Sequence, residues 1–580
     1  MDMPVISITS NDLIAIDQPF KVGAGPGAGK TYWLIQHINQ VLQQSKKMGA
    51  YRKIACITYT NIAVETILGR LNNAVDRVEV STIHSFLYTN IIKPYMHFIA
   101  KDYDFEVWKM DGHDDPFVSR TIVKEWLAEH PNKANFTAPW LPNQLIRIDK
   151  NYQALSSWLS SIYFKFNGTN LEIAIDNREA YDRETNNRLS KANCLDKLEP
   201  GLMDYKKKYW KNGTLHHDDV LFFGYLLIQK YPFILTVLRA KFPYFFIDEF
   251  QDTSPIQTEI IKLLAQQDTV VGIIGDKAQS IYSFQGAAPN DFDTFSLIGQ
   301  AHYLIPNNRR SSNSIVSLLN HLRRDITQNG ERNILGVKPV LIVGTKENAF
   351  AYAKGICGQE TLITLSRKND TVDTMQRQYN MAIPAVNLMD ELYAKDNYER
   401  FKVIKASIAA VELGREKRFK EAIKEMEKNF HTTTNKTQRK KTAFQHLSTL
   451  LSQYESYKDQ PLFNFYQLVK AFRPDIPAVS TGGIKALYDS HTFSAVAIFI
   501  DLEETDQESR TIHKAKGDEF DNVLVILEDK KYLTTPNLAD EEHRVRYVAF
   551  SRAKERLFIN IPELDPASDG GLSPLFQIVR

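Results

Sequence analysis

Cysteine is scarce in this sequence, with three residues in a chain of 580. Cys56, Cys194 and Cys357 lie far apart and form no CxxC pair. This spacing argues against a disulfide framework and against a cysteine-bound zinc or iron–sulfur site. A reducing, cytoplasmic environment is the simplest interpretation.

Long apolar runs are missing as well. The longest, Val220–Ile228, is far shorter than the ~20 residues that a membrane-spanning helix needs. The N-terminal stretch MDMPVISITSNDLIAID has no basic segment followed by an apolar one, which a secretory signal requires. We therefore expect a soluble protein without a membrane partner.

An excess of one charge sign is also absent, because 71 Lys and Arg residues stand against 69 Asp and Glu residues. Any nucleic-acid surface must then be a local one. The most basic stretch, residues 400–441, holds 13 Lys or Arg and 5 Glu. Two interpretations stay open: a face that binds a duplex or a protein partner, or a solvated helix with i,i+4 pairs such as Glu416 and Lys420.

The length of 580 residues exceeds what one hydrophobic core usually supports, so several folding units are expected. Short apolar runs alternate with helical segments, which predicts an α/β protein with parallel sheets. The texture is helical, without strand alternation, from about Tyr95 to Pro200 and from about Asp370 to Phe493. Beyond the first strand, near Phe20, the predicted strands are Lys53–Thr58, Val78–Thr82, Tyr244–Ile247, Val270–Ile274, His302–Ile305, Val340–Gly344, Thr361–Ser366, Ala495–Leu502, Val523–Leu527 and Leu557–Asn560.

The stretch VGAGPGAGKTYWLI, residues 22–35, predicts a phosphate-binding loop between a strand and a helix. Its glycines let successive N–H groups turn towards phosphate oxygens, and the following helix adds its positive N-terminal end. Lys30 would reach the β- and γ-phosphates, and the Thr31 hydroxyl would bind Mg²⁺. The loop residues are Ala24, where the strict pattern has glycine, and Gly25, Pro26, Gly27, Ala28 and Gly29.

Paired carboxylates follow the predicted strand in FFIDEFQD, residues 245–252. Asp248 at the strand tip suits the Mg²⁺ shell, and Glu249 suits a general base that orients the attacking water. In the later stretch GDKAQSIYSFQGA, the Gln279 amide suits a sensor of the γ-phosphate. Tyr282 and Phe284 either pack in a core or stack on the bases of a single strand.

Two arginines are candidates for stabilising charge on a transferring phosphoryl group, Arg310 in NNRRS and Arg552 in YVAFSRA. Either one alone is more often a surface ion-pair partner. The stretch TIHKAKGDEF, which begins at Thr511, suits phosphodiester contact, and its Glu519 suits a ribose hydroxyl.

The ordered set AGPGAGKT, TYTN, STIHSF, FFIDEFQD, GDKAQSIYSFQGA, NRRS, TIHKAKGDEF and YVAFSRA resembles superfamily 1A DNA helicases of the UvrD/Rep/PcrA type. The resemblance spans roughly residues 1–90, 200–370 and 495–562. It implies two RecA-like motor domains with two helical insertions. The implied boundaries are 1–94 and 201–320 for motor domain 1A, 95–200 for insert 1B, 321–374 and 494–580 for motor domain 2A, and 375–493 for insert 2B.

The resemblance also implies ATP and Mg²⁺ as cofactors and carries roles over by position. Lys30, Thr31 and Asp248 would bind phosphate and Mg²⁺, and Glu249 would be the base. The γ-phosphate would be read by Gln279, Arg310 and Arg552, and the ribose by Glu519. The family touches the DNA strand at the positions of Thr58, Asn61, His84, Tyr282, Phe284, Thr511 and His513.

Several positions depart from the family pattern. Arg309 replaces the tyrosine that stacks on adenine, and Gln18 is doubtfully spaced for the adenine-reading glutamine. Phe284-Gln285 stands where relatives carry Trp-Arg, which removes one cation from the DNA path. Insert 2B is shorter than in the large repair helicases.

The leading hypothesis is an ATP-dependent helicase that moves 3′→5′ on single-stranded DNA and unwinds duplex DNA. An alternative is a DNA-sensing ATPase that regulates a partner nuclease in anti-phage defence without processive unwinding; the short insert 2B and the missing loop cation favour it. The compact chain also resembles the helicase-like subunits of Gabija-type anti-phage systems, which work beside a separate nuclease. A third, a P-loop switch that does not act on nucleic acid, would hydrolyse ATP regardless of DNA.

Overall fold

The computed structural model describes residues 4–110, 112–113, 118–133, 155–156, 158–168, 170–175, 197–283, 286–368, 371–372, 375, 387–430, 436–479, 482–500 and 508–580. The chain forms two compact units. The first consists of Met1–Pro142, Ser156–Asn369 and Arg510–Arg580, and the second of Asn143–Leu155 and Asp370–Ser509.

The strands in chain order are β1 (Val5–Ser7), β2 (Phe20–Ala24), β3 (Ile54–Thr58), β4 (Val78–Thr82), β5 (Ile162–Phe166), β6 (Leu171–Ile175), β7 (Tyr244–Ile247), β8 (Val270–Gly275), β9 (Ala301–Ile305), β10 (Asn307–Asn308), β11 (Asn329–Gly330), β12 (Val340–Val343), β13 (Leu362–Ser366), β14 (Ser509–Thr511), β15 (Phe520–Ile526), β16 (Ala553–Ile561) and β17 (Gln577–Val579). All but part of β14 belong to the first unit.

The first large sheet is parallel, with strand order β1-β9-β2-β8-β7-β3-β4. Alternate residues of its central strands enter two different cores: Phe245 and Ile247 lie in one, and Tyr244 and Phe246 in the other. A parallel strand that is buried on both faces reads as a continuous apolar run. This is why YFFI was recognisable as a strand in the sequence.

The second large sheet has the order β14-β13-β15-β16-β12-β17, and the pairings along β13-β15-β16-β12-β17 are parallel. One core joins Val523, Val525 and Leu557 of the strands to residues of the helices Asn313–Leu322 and Glu541–Phe550. The two parallel sheets confirm the predicted α/β class. Their separation into two sheets with cores of their own agrees with two RecA-like motors.

The helices of the first unit are Lys30–Gln44, Asn61–Leu71, Ile83–Leu87, Lys93–Tyr95, Arg120–Glu129, Leu202–Trp210, His217–Lys230, Phe233–Lys241, Pro255–Leu264, Pro289–Thr294, Asn313–Leu322, Lys346–Cys357, Lys531–Thr534, Glu541–Phe550 and Pro566–Leu572. Those of the second unit are Leu388–Lys395, Tyr398–Arg415, Phe419–Glu427, Lys436–Ser452, Tyr454–Tyr457, Leu462–Phe472, Gly483–Ser490 and Phe493–Ala497.

Two expectations about secondary structure were wrong. The predicted insert 95–200 contains an antiparallel hairpin of β5 and β6, where a purely helical segment was expected. Its alternation is short, and the aromatic Phe164 stacks on Phe222 of a helix, so tertiary packing supports a strand that the pattern barely marks. The predicted strand Ala495–Leu502 begins instead inside the helix Phe493–Ala497, which Thr492 caps.

The described helices of the second unit lie between Leu388 and Ala497. In the basic stretch 400–441, several cations pair with glutamates three residues away, as Arg415 does with Glu412 and Lys428 with Glu425. Local pairing of this kind agrees with the interpretation as a solvated helix surface.

None of the described helices alone is long and apolar enough to cross a bilayer. The helices His217–Lys230 and Phe233–Lys241 have the necessary length and hydropathy only when taken together, and they are bent by 108° relative to each other.

Candidate functional site

The predicted phosphate-binding loop connects β2 to the helix Lys30–Gln44. Gly27 and Gly29 have φ angles of 71° and 82°, a left-handed conformation that glycine adopts without strain. A Cβ added at Gly27 would lie 2.7 Å from the Asn308 side chain and 2.8 Å from Cβ of Arg310. The loop therefore has both the curvature and the tight surroundings that a cradle for phosphate requires.

A second segment of the chain holds this loop from outside. The Arg309 N–H donates to the Gly27 carbonyl (2.8 Å), and the side-chain amides of Asn308 and Gln328 donate to the Pro26 carbonyl (3.1 and 2.9 Å). Asn308 and Gln328 were not predicted as site residues. Their nearness to the loop is decided by the register of β10 beside β11, which the sequence pattern does not reveal.

The carboxyl ends of neighbouring parallel strands bring further groups to the same edge of the sheet. Asp248 follows β7, and its carboxylate accepts a hydrogen bond from the Thr31 hydroxyl (3.3 Å). Burial and the adjacent Glu249 charge raise the pKa of Asp248 to about 7. Two buried carboxylates beside a hydroxyl suit Mg²⁺, which is usually bound through one or two carboxylates and keeps several waters.

Glu249 adopts a left-handed backbone conformation with φ 55°, which is uncommon for a residue with a side chain and occurs preferentially at functional sites. Burial alone would raise the pKa of Glu249, but the Lys30 and Lys516 charges and a hydrogen bond from Gln251 hold it below its ordinary value. Glu249 is thus an ionised carboxylate in a buried place, as a base needs to be.

The turn after β8 carries the predicted sensor Gln279, which is 4% exposed. Its Nε2 donates to Oδ2 of Asp276 (2.7 Å), and its Oε1 accepts from Nη2 of Arg552 (3.1 Å). Both ends of the amide are therefore engaged, one by the first sheet and one by the second.

The two predicted arginines lie close together. Arg552 immediately precedes β16, and burial together with the Arg310 charge lowers its pKa to about 9. Arg310 Nε contacts Oε2 of Glu519 (2.9 Å), and its Nη1 donates to the Ser551 carbonyl (2.9 Å). Because Glu519 and Arg552 precede the neighbouring parallel strands β15 and β16, both lie at one edge of the second sheet.

Two buried ion pairs at this site were not predicted. Lys516 of the HKAKG stretch contacts Asp252 at 2.5 Å, and Arg323 contacts Asp276 at 2.7 Å. Burial raises the pKa of Asp252 to about 6 despite the Lys516 charge. The acidic partners stand in quoted motifs, but a charge in a motif does not indicate which distant residue will pair with it.

Part of the predicted DNA-contacting set lies together. The ring of Tyr282 stacks on Tyr59, with centroids 4.7 Å apart, and Lys516 Nζ lies 4.5 Å from the Tyr282 centroid. A ring nitrogen of His513 lies 3.2 Å from the Ile281 carbonyl. Thr58 precedes Tyr59 at the end of β3, and its Oγ1 has no hydrogen-bond partner among the described residues.

The remaining predicted DNA contacts differ in their surroundings. His84 lies beside two other histidines, with ring centroids 5.2 Å from His217 and 6.2 Å from His113. Thr511 ends β14 and is half-buried. Asn61 begins a helix, but its side chain, like the whole of Phe284, lies outside the described residues.

Two domain models of one helicase family match this chain. The UvrD/REP helicase N-terminal domain matches residues 9–297, and the UvrD-like helicase C-terminal domain matches residues 301–563. The chain belongs to the UvrD/REP helicase family.

Individual relatives are more distant. The chain is 27% identical to Gabija protein GajB of Bacillus cereus over 331 residues, which cover 52% of this chain and 46% of that protein. It is 26% identical to the ATP-dependent DNA helicase PcrA of Bacillus subtilis over 332 residues, which cover 55% of this chain and 39% of that protein. It is 28% identical to the ATP-dependent DNA helicase srs2 of Schizosaccharomyces pombe over 317 residues, which cover 53% of this chain and 33% of that protein. The matches thus span less than half of each relative.

The positions that depart from the family pattern have partners of their own. Arg309, in the place of the stacking tyrosine, forms an ion pair with Glu331 and donates from Nη1 to Oδ1 of Asn11 (3.4 Å). Gln18 donates to the Gly299 carbonyl (2.9 Å). The segment Thr9–Asp12, rather than Gln18, lies next to the phosphate loop, since a Cβ at Gly29 would be 3.3 Å from Ser10.

Proposed function

We propose that the chain is an ATP-driven translocase that moves 3′→5′ on single-stranded DNA and unwinds duplex DNA. One observation carries the proposal above the others: Gln279, which follows a strand of the first sheet, is hydrogen-bonded to Arg552, which precedes a strand of the second. A nucleotide bound between these groups would link its hydrolysis to the relative position of the two sheets. Membership of a helicase family supports the same conclusion.

The proposed chemistry assigns each residue a role on ATP. The loop N–H groups and Lys30 bind the β- and γ-phosphates, and Glu249 orients the attacking water and accepts its proton. Thr31 and Asp248 would hold Mg²⁺, which neutralises developing charge on the phosphates. Arg310 and Arg552 stabilise the charge of the transferring phosphoryl group.

The Arg310–Glu519 contact has a consequence in this scheme. A guanidinium that reads a γ-phosphate must exchange its carboxylate partner for the phosphate. In the proposal, ATP therefore releases Glu519 for the ribose while it recruits Arg310. Burial and the Arg310 charge lower the pKa of Arg552. In the proposal, the negative γ-phosphate also stabilises the charged form of Arg552.

The DNA path is proposed along Thr58, Tyr282, Thr511 and His513. Lys516 connects this path to the hydrolytic site because it contacts both Asp252 and the Tyr282 ring. A movement of Lys516 caused by the bound nucleotide would in this way reach the Tyr282 ring, which lies on the proposed path of the DNA strand. Base stacking on such aromatics is sequence-tolerant, as a translocase requires.

The test measures ATP hydrolysis with and without single-stranded DNA, and strand displacement on duplexes with a 3′ or a 5′ single-stranded tail. We expect stimulation by DNA and displacement from the 3′-tailed duplex only. The Glu249→Gln protein is the matched control, because it lacks the proposed base but keeps the loop. Hydrolysis that is indifferent to DNA would contradict the proposal.

A second candidate is a DNA-sensing ATPase that regulates a separate nuclease in anti-phage defence. The similarity to Gabija protein GajB favours it. It predicts DNA-stimulated hydrolysis without strand displacement on either duplex. The two assays above therefore distinguish the candidates in one experiment.

A further inference from the structure

Arg323 is a buried cation without a role in the scheme above. It follows the helix Asn313–Leu322, whose apolar residues Ile315, Leu318 and Leu319 belong to the core of the second sheet. Its side chain is only 1% exposed. Yet its guanidinium reaches out of that core to Asp276, the residue that follows β8 of the first sheet.

The contact has the geometry of a two-point ion pair. Arg323 Nη2 lies 2.7 Å from Oδ1 of Asp276, and Nη1 donates to Oδ2 at 2.9 Å. Such a paired contact fixes the plane of the carboxylate as well as its position. Asp325 holds the other side of the guanidinium through Nε (2.7 Å) and Nη2 (2.9 Å), so the arginine itself is fixed.

Asp276 is also the residue that orients the sensor. The same Oδ2 that accepts from Arg323 accepts from Nε2 of Gln279 (2.7 Å). A carboxylate can only accept, so it fixes the NH₂ end of the amide towards Asp276 and the oxygen towards Arg552. The charges of Arg323 and Lys30 outweigh burial and keep the pKa of Asp276 below its ordinary value, which preserves this acceptor.

We propose that Arg323 is a positioning residue for ATP hydrolysis, which acts through Asp276 to set the orientation of the Gln279 amide. Because Arg323 is anchored in the core of the second sheet, it also transmits movement of that core to the sensor. This inference rests on the proposed ATPase function. Arg323 itself touches neither nucleotide nor DNA in this scheme.

The test compares Arg323→Gln and Arg323→Lys with the unaltered chain in DNA-stimulated hydrolysis. Misplacement of a reacting or sensing group by about 1 Å costs up to about 100-fold. We expect Arg323→Gln to lower kcat by about 10- to 100-fold with KM for ATP nearly unchanged. Arg323→Lys keeps the charge but makes a single-point contact, so its kcat should lie between the other two.

The decisive comparison repeats these substitutions in a Gln279→Ala background. If Arg323 acts through Gln279, its replacement there lowers kcat no further, since residues that act as a unit are non-additive. Equal losses in both backgrounds would overturn the proposal. Should Arg323→Gln fail to fold, Arg323→Lys decides: unaltered kcat in that protein also overturns it.

Arg546→Gln is the matched control for general damage to the second core. Arg546 is likewise buried and ion-paired, with Glu528 and Glu542, but it does not contact Asp276. If Arg323→Gln and Arg546→Gln lower the melting temperature equally and leave kcat of the folded protein unchanged, Arg323 is only structural and the proposal fails. Failure of the proposed function is distinguishable, because it would show in the unaltered chain, as an absence of ATP hydrolysis or as hydrolysis that is indifferent to DNA.

Discussion

Buried ion pairs occur in both compact units of this protein, but they differ in sequence separation. In the first unit, the ion pair of Lys516 with Asp252 spans 264 residues and that of Arg323 with Asp276 spans 47. A hydrogen bond there joins Arg552 to Gln279 across 273 residues. In the helical second unit, the buried Arg400 contacts Asp396, four residues away. The carboxylate of Asp396 also accepts from the Tyr488 hydroxyl (2.6 Å).

Burial of charge alone therefore does not identify a functional site. Arg400 and Asp396 join the start of one helix to Tyr488 and to the carbonyls of Pro477 and Ala478, all of which lie in the second unit. In the first unit, the long-range pairs share partners and converge on one edge of the first sheet. Burial of a charge carries an unfavourable desolvation free energy. Several buried charges that converge from distant segments therefore indicate a functional site, where a ligand offsets that free energy.

The largest effect is expected from the two arginines of the proposed γ-phosphate site. Charge-stabilising arginines contribute about 10³–10⁵ in rate, so Arg310→Ala and Arg552→Ala should each lower kcat by that order. Hydrolysis at saturating ATP and DNA is the measurement. Arg556→Ala is the control, because Arg556 lies on β16, the strand that follows Arg552, and pairs with Glu360 at the surface. Near-normal turnover of either variant would make that arginine a structural partner like Arg400.

The next effect separates binding from chemistry within the site. Glu249→Gln removes the proposed base and should lower turnover by about 10²–10⁴ while nucleotide affinity stays largely intact. Lys30→Ala removes a phosphate contact and should weaken binding itself. Equilibrium binding of a non-hydrolysable ATP analogue, measured beside turnover, tests this. Equal loss of affinity in both variants would contradict the role of Glu249.

A third prediction concerns the helical unit. Arg400→Leu leaves the buried Asp396 without its cation, which typically costs about 3–5 kcal/mol. We expect a lower free energy of unfolding in urea, with unchanged DNA-free hydrolysis per folded molecule. Lys428→Met breaks a surface pair with Glu425 and should cost less than about 1 kcal/mol. A loss of hydrolysis in folded Arg400→Leu would show that the helical unit acts on the site.

The smallest effect is a pH dependence at His84. Burial, with His217 and His113 nearby, lowers the pKa of His84 to about 3. The folded protein therefore keeps the His84 ring neutral, whereas the unfolded chain binds a proton there below pH ~6.5. The contribution of His84 to the free energy of unfolding is thus complete above pH ~6.5 and is lost as the pH falls from there towards 3. The slope is at most about 1.4 kcal/mol per pH unit.

Urea unfolding at several pH values below 6.5 measures that slope. His84→Gln should flatten it by up to one proton, whereas His321→Gln, at an exposed position, should leave it unchanged. Equal slopes in all three proteins would show that another group is responsible for the loss of stability in acid.

The sequence by itself determined the class of this fold and the chemistry of its most distinctive loop. Strands buried on both faces must be apolar throughout, so β7 and β8 were visible as runs, and the glycines of the phosphate loop were visible because only they adopt its φ angles without strain. The hairpin of β5 and β6 was not visible, because its stability depends on the helix residue Phe222 against which it packs.

The partners of these charged and polar groups follow from the tertiary structure alone. Asp252, Asp276 and Gln279 stood in recognisable motifs, but Lys516, Arg323 and Arg552 became their partners through the order of the strands and the packing of the two cores. A motif is a local pattern, whereas a polar contact across 47 or 273 residues depends on every connection between its ends. The chemistry of each group is therefore a property of the sequence, and its electrostatic surroundings are a property of the fold.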